Sequence, residues 1–251
     1  MSHNLEYNKN YPNFEEILLN IKAIFSDNSD TIHLARNELK VIEIHGIKTV
    51  VKAFRIPNKI NQFVYANLRK SKAYKAYHNA SRLHELNIST PQALGYIEFF
   101  DGNLLKESFF ISKEFSYDFT IALIRDEQPE YKKEVLEAFA EFSYGLHSKG
   151  VWHVDYSGGN ILIHKEQNKY TFSIVDINRM KFRSITGYEG LENFNKLWFN
   201  EEDLTTIAKT YAKLANLDEK IAINEILRHD KKLKEKVFLK RKLKSYFSLK
   251  K

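Results

Sequence analysis

The reading of this chain turns on Val151-Trp152-His153-Val154-Asp155-Tyr156-Ser157-Gly158-Gly159-Asn160-Ile161-Leu162-Ile163. It holds a His, an Asp two residues on and an Asn five beyond that Asp, then enters an apolar run with strand character. Sixteen residues after Asn160, a second expected strand ends in Asp176. An Asp on a rigid loop can orient a hydroxyl group and accept its proton. An Asn and a second Asp supply hard oxygen ligands of the kind Mg²⁺ takes. Little covalent chemistry but much positioning and charge neutralisation is the demand of phosphoryl transfer. The pair Gly158-Gly159 is expected to let the backbone turn tightly between base and ligand.

Just before this stretch, Lys132 to Ser148 carries Val135, Leu136, Phe139, Phe142 and Leu146 at helical spacing, with Gly150 where a C′ glycine belongs. Short strands are expected at Ile161 to Ile163 and Tyr170 to Val175, and three more helices from Glu189 onward. On the N-terminal side, Asn13 with Glu16 reads as a capping box opening a short helix. Alternation from Lys40, a tight turn at His45-Gly46 and the dense strand Thr49 to Phe54 follow. A helix is expected from about Gln62 to Leu86, stopped before Pro91. Ala93 to Phe100 and Ser108 to Phe115 read as strands joined through Asp101-Gly102-Asn103. The spacing predicts an α+β chain with a β-rich half over 1–116 and a mainly helical half over 117–251.

Composition narrows the class. The 251 residues contain no cysteine, which excludes a disulfide framework and a thiolate metal site. No apolar run approaches the roughly 20 residues that span a bilayer, and Met1 to Pro12 lacks a signal-peptide core. The expectation is a cytoplasmic protein. The formal charge of +7 is uneven, because from Arg228 to Lys251 eleven Lys or Arg face only Asp230 and Glu235. The remaining 227 residues sum to −2, so no nucleic-acid partner is expected. The tail sets Leu233, Val237, Leu239, Leu243 and Phe247 among these cations. Such a segment can lie on anionic lipid, peripheral to the inner face of the inner membrane, or pack as a last helix with a solvated face.

The segment from His153 to Asn160 resembles the catalytic loop of protein kinases, His-x-Asp-x-x-x-x-Asn, with Asp176 at the metal-binding Asp of their Asp-Phe-Gly motif. Ile177 and Asn178 stand in place of Phe and Gly. Lys52, in Val50-Val51-Lys52-Ala53-Phe54, is similar to the kinase strand lysine that reaches the α- and β-phosphates. Within the superfamily, Gly150 to Ser157 with Gly159-Asn160 looks like the bacterial lipopolysaccharide core kinases that act on Kdo and heptose. So do Asp176-Ile177-Asn178-Arg179-Met180, Ser71-Lys72-Ala73 and Ile88-Ser89-Thr90-Pro91.

This resemblance implies a protein-kinase-like two-lobed fold, ATP and Mg²⁺ as cofactors, and a lipid-linked core sugar as acceptor. It implies Asp155 as base, Asn160 and Asp176 as metal ligands, Lys52 on the phosphates, and adenine against Glu114, Phe115 and Ser116. Ser157 stands where serine/threonine protein kinases carry a lysine, and no Ala-Pro-Glu element follows Asp176, which favours a sugar over a peptide. Ser157 and Arg179 are the candidates for contact with the acceptor.

Two departures matter. No glycine-rich loop precedes Lys52. The turn Ala35-Arg36-Asn37-Glu38 takes its place, where Arg36 holds phosphate by charge or is simply a solvated surface residue. At the place of the helix Glu that pairs with Lys52 stands His78, with Glu85 two turns on. A protein kinase acting on itself or a partner, and a nucleotide-binding regulator without catalysis, remain as alternatives.

Overall fold

The computed structural model describes residues 2–11, 13–29, 31–34, 37–167 and 169–248. The chain forms two units, Met1–Ser116 with Ser173–Arg179, and Tyr117–Phe172 with Met180–Lys251. A single boundary at residue 116 therefore misses two further crossings, at 172/173 and 179/180, because the segment carrying Asp176 goes with the first unit. Hydrogen bonds explain the exchange. Ile174 N donates to Ser89 O at 3.1 Å, Thr90 Oγ1 to Ile174 O at 2.7 Å, and Asn79 Nδ2 to Ile177 O at 2.7 Å.

The first unit contains β1 (Ser2–Tyr7), α1 (Phe14–Leu19), α2 (Ile21–Asp27), β2 (Thr31–Leu34), β3 (Asn37–Ile44), β4 (Ile47–Phe54), α3 (Lys59–Asn67), α4 (Lys72–Glu85), β5 (Ala93–Asp101) and β6 (Leu104–Lys113). Its sheet has the order β1-β5-β6-β4-β3-β2, antiparallel throughout. His45 and Gly46 both have positive φ, 51° and 73°, as a two-residue hairpin of this hand requires. Strand alternation sorts the faces. Val51, Ile97, Phe109 and Ile111 pack with Phe14, Leu18, Ile21 and Phe25 of the first two helices, each fully buried Leu, Ile or Phe contributing about 1.5–3 kcal/mol. Lys52, one residue from Val51, points to the opposite face, where Tyr96 meets Tyr74 and Tyr77 of α4.

Two local expectations are corrected, and one strand is added to them. β1 was not foreseen. Asn13 adopts φ 72° and makes no side-chain cap, so the capping box does not form. The helix expected over 62–86 is two helices, because Ser71 leaves helical geometry and its side chain caps α4 by accepting from Tyr74 N at 3.1 Å. The buried Glu98 carboxylate of β5, its pKa raised chiefly by burial, bonds Ser71 and lies by the positive end of α4. That partner comes from 27 residues downstream of the cap.

The second unit contains β7 (Phe119–Thr120), α5 (Ile121–Glu127), α6 (Lys132–Ser148), β8 (Val151–Trp152), β9 (Ile161–Glu166), β10 (Lys169–Ile174, whose last two residues fall in the first unit), β11 (Lys181–Phe182), α7 (Glu201–Ala215) and α8 (Glu219–Ser248). One sheet runs β10-β9-β7 and another pairs β11 with β8. Three 3₁₀ segments matter for function: Gly158–Asn160, Ile177–Arg179 (in the first unit) and Gly187–Lys196. Phe139 of α6 centres the helical core, stacked on Tyr156 at 5.6 Å and edge-on to Phe194 at 5.8 Å. Gly150 closes α6 with φ 70°, the left-handed C′ position. α8 buries Ala222, Ile226 and Asp230, and among the described side chains none beyond Lys231 is buried.

Candidate active site

In the first unit, Lys52 Nζ lies 2.6 Å from Asp176 Oδ1, an ion pair joining residues 124 apart in sequence. Both side chains are largely buried, at 14% and 23% exposure, so solvent screens the pair only in part. Asp176 has φ 57°, a left-handed conformation that Asp tolerates better than most residues and that the surrounding bonds must hold. Asn178 supplies one such bond, donating from Nδ2 to Asp176 Oδ1 at 2.7 Å. Asn79 of α4 supplies another to the next backbone, Ile177 O. Arg179 Nη2 stands 3.9 Å from Asp176 Oδ2, and its side chain is half exposed.

His78 does not take the place of a helix carboxylate toward Lys52. Its Nε2 lies 3.3 Å from Glu6 Oε2 of β1, and its ring packs 4.0 Å from that of Tyr74. Glu85 ends α4, exposed. The carboxylate that restrains Lys52 is Asp176 itself, and the α4 residue that serves the site is Asn79, one position past His78. After β6, Glu114 N donates to Lys48 O at 2.9 Å. Glu114 and Ser116 are exposed and Phe115 is half-buried. Arg36, with Ala35, lies outside the described residues, and Asn37 and Glu38 belong to β3 rather than to a turn.

In the second unit the loop after β8 is fixed from several sides. His153 is buried, and its Nδ1 accepts from Asp155 N at 3.1 Å. Tyr156 is fully buried, with its hydroxyl 2.8 Å from Ser143 Oγ. This anchors the residue next to Asp155 in the core. Asn160 Nδ2 donates to Asp155 O at 2.9 Å and to Ser157 Oγ at 3.1 Å, so its amide nitrogen closes the loop. Its Oδ1 is the atom suited to a hard cation. Ser157 Oγ thus has a part inside the loop.

The glycine pair has a different cause from the one expected. Neither Gly158 nor Gly159 has positive φ; a Cβ on Gly158 would fall 2.9 Å from Ala122 Cβ of α5, so close packing demands glycine there. For Gly159 nothing lies within 4 Å, and the structure gives no reason for it.

Two loop supports were missed in the sequence. Asn193 and Lys196, one turn apart on the 3₁₀ segment Gly187–Lys196, both donate onto the loop backbone. Asn193 Nδ2 reaches His153 O at 2.9 Å, and Lys196 Nζ reaches Val154 O at 2.6 Å and Asp155 Oδ1 at 3.3 Å. Asn193 in turn accepts from His147 Nε2 at 3.1 Å, while His147 Nδ1 meets Tyr211 Oη at 2.9 Å. Burial lowers the His147 pKa to about 4, so the ring is neutral and shares hydrogen bonds without bringing charge into the core. The Asn–Lys spacing of three was the available signal, but it also fits an ordinary solvated helix face.

The family described as lipopolysaccharide kinase (Kdo/WaaP) matches residues 54–218, a span that includes Asp155, Asn160 and Asp176 and begins two residues after Lys52. Among solved structures, WaaP in complex with acyl carrier protein aligns with a TM-score of 0.61 at 18% identity, over 92% of this chain and 99% of that one. An aminoglycoside-3′-phosphotransferase of type VIII aligns at 0.53 and 12% identity, over 84% and 97%. These likenesses are of fold, and the fold is that of the protein-kinase-like phosphotransferases. No curated protein matches by sequence.

Proposed function

This chain belongs to the lipopolysaccharide kinase (Kdo/WaaP) family and is a phosphotransferase, and from that membership we propose that it moves the γ-phosphate of ATP to a hydroxyl of a lipopolysaccharide inner-core sugar, Kdo or heptose. The observation that carries the proposal is the Lys52–Asp176 pair, an ammonium and a carboxylate joined across 124 residues. In the reaction Asp155 orients the acceptor hydroxyl and takes its proton. Lys52 steadies the α- and β-phosphates. Adenine lies against Glu114 to Ser116, and since the Glu114 amide already bonds Lys48, other backbone groups of this stretch bond the base. Arg179 holds an anionic group of the acceptor, and Ser157 is the loop residue that meets the acceptor.

The donor set suits magnesium. Among the described residues no three His, Cys, Asp or Glu side chains form a protein cage for a metal. As donor types, the Asp176 carboxylate and the Asn160 amide oxygen would suit an ion that takes its remaining ligands from phosphate and water. Bound there, Mg²⁺ would neutralise charge developing on the phosphates.

The acceptor is lipid-linked, and the exposed end of α8 is suited to meeting its bilayer. Among the described residues no helix is long and apolar enough to cross a membrane. Phe238, Leu239 and Leu243 are instead exposed among Lys236, Lys240, Arg241, Lys242 and Lys244. We read this end as a peripheral attachment to anionic lipid on the cytoplasmic face of the inner membrane, each cation adding about 1 kcal/mol. Sedimentation with anionic but not zwitterionic vesicles supports that reading. Binding only to acyl carrier protein, the partner in the WaaP structure, overturns it.

The catalytic proposal is tested with pure protein, labelled ATP, Mg²⁺ and purified lipid-linked core sugar. Label in the glycolipid is the expected result. Label in the protein alone supports a protein kinase, and nucleotide binding with no transfer supports a regulator. Asp155→Ala abolishes transfer while ATP still binds, and Asp176→Ala also removes metal-dependent binding. Full activity in both variants refutes the mechanism.

A further inference from the structure

Transfer of a phosphoryl group places charge on its equatorial oxygens, and a cation held at the acceptor side stabilises it. Within the loop itself no cation is available. Ser157, two residues after Asp155, has its hydroxyl engaged by Asn160. A cation does arrive from 41 residues downstream. Lys196 Nζ is held 2.6 Å from Val154 O and 3.3 Å from Asp155 Oδ1.

We propose that Lys196 is a further catalytic residue, the ammonium that contacts the phosphoryl group during transfer. The inference rests on Asp155 being the base, as proposed above. A hydroxyl whose proton Asp155 takes must lie about 2.6–3.2 Å from its carboxylate. Where that hydroxyl meets Oδ1, the ammonium is within about 6.5 Å of the attacking oxygen, and phosphorus bonds to that same oxygen. An ammonium has three donors. Two are engaged by the loop, and the third remains for a phosphoryl oxygen. With about a third of the side chain exposed, Lys196 can be approached by substrate. Its helix is fixed by Asn193 one turn earlier, so the charge is positioned before substrate arrives. No bond of Lys196 is made or broken, and the proton of the hydroxyl still goes to Asp155.

The rival role is purely structural, a tether on the Val154 carbonyl. Lys196→Gln separates the two, because glutamine keeps a donor of similar reach but no charge, and Lys196→Arg keeps charge and donor. The expected result is a fall in kcat of about 10²–10³-fold for Gln, with KM for ATP within threefold of the parent. Arg should restore at least tenfold of the loss, and both variants should melt within a few degrees of the parent. A Gln variant within fivefold of parental kcat, or an Arg variant as inactive as Gln, overturns the proposal. Asp155→Asn separates the two levels of inference. Transfer lost in Asp155→Asn but kept in Lys196→Gln sinks Lys196 alone, whereas transfer kept in Asp155→Asn sinks the base on which it depends.

Discussion

Gly158→Ala introduces a Cβ that would lie 2.9 Å from Ala122 Cβ, 3.0 Å from Ala122 Cα and 3.1 Å from Ala122 N. None of these three atoms can swing aside, because two are backbone and the third is fixed to it. Ordinary contact begins near 3.4 Å, so the loop must withdraw by about half an ångström or α5 must give way. Overpacking of this kind costs about 1–3 kcal/mol, which in a chain of this size lowers Tm by about 2–12 °C. The displaced segment lies between Asp155 and Asn160. Since a misplacement of about 1 Å can cost on the order of a hundredfold in rate, half of that should lower kcat about tenfold. Binding of nucleotide through Lys52 should change much less. Gly159→Ala is the internal control, because its Cβ meets nothing within 4 Å and its φ is not positive. Its stability should stay within about 0.5 kcal/mol of the parent and its kcat within twofold. Steady-state release of ADP, thermal unfolding and calorimetric titration with Mg·ATP measure the three quantities. Equal behaviour of the two alanine variants would refute the steric argument and with it the placement of the loop on α5.

Two further outcomes follow from the buried network and from α4. The His147 ring, its pKa lowered from 6.5 to about 4 by burial, is protonated more readily in the unfolded chain. Stability is therefore complete above about pH 6.5 and is lost as pH falls toward 4, by on the order of 3 kcal/mol. Denaturation midpoints measured across that window should flatten in His147→Gln, and an unchanged slope would discard the assignment. His78→Gln should leave kcat within twofold and stability within about 1 kcal/mol, since His78 touches Glu6 and Tyr74 and not Lys52; a hundredfold loss of transfer would return His78 to the site.

Much of this protein is set by short-range covalent order, and that part is legible in the sequence. Asp155 and Asn160 share one loop because five residues cannot separate them far. Strand alternation puts Val51 and Lys52 on opposite faces, and His45-Gly46 and Gly150 carry the turn and the helix stop their positions require. The rest depends on partners distant in the chain, which leave no periodic trace. Asp176 returns to the first unit through bonds to Ser89, Thr90 and Asn79. Glu98 sits at the cap that divides the expected long helix, and Asn193 and Lys196 reach back to the loop from about forty residues away. Such pairings form only when the whole core offsets the entropy of closing long loops. The sequence alone therefore determined which chemical groups were available, while the tertiary structure decided that Lys52 meets Asp176 and that Lys196 stands beside Asp155.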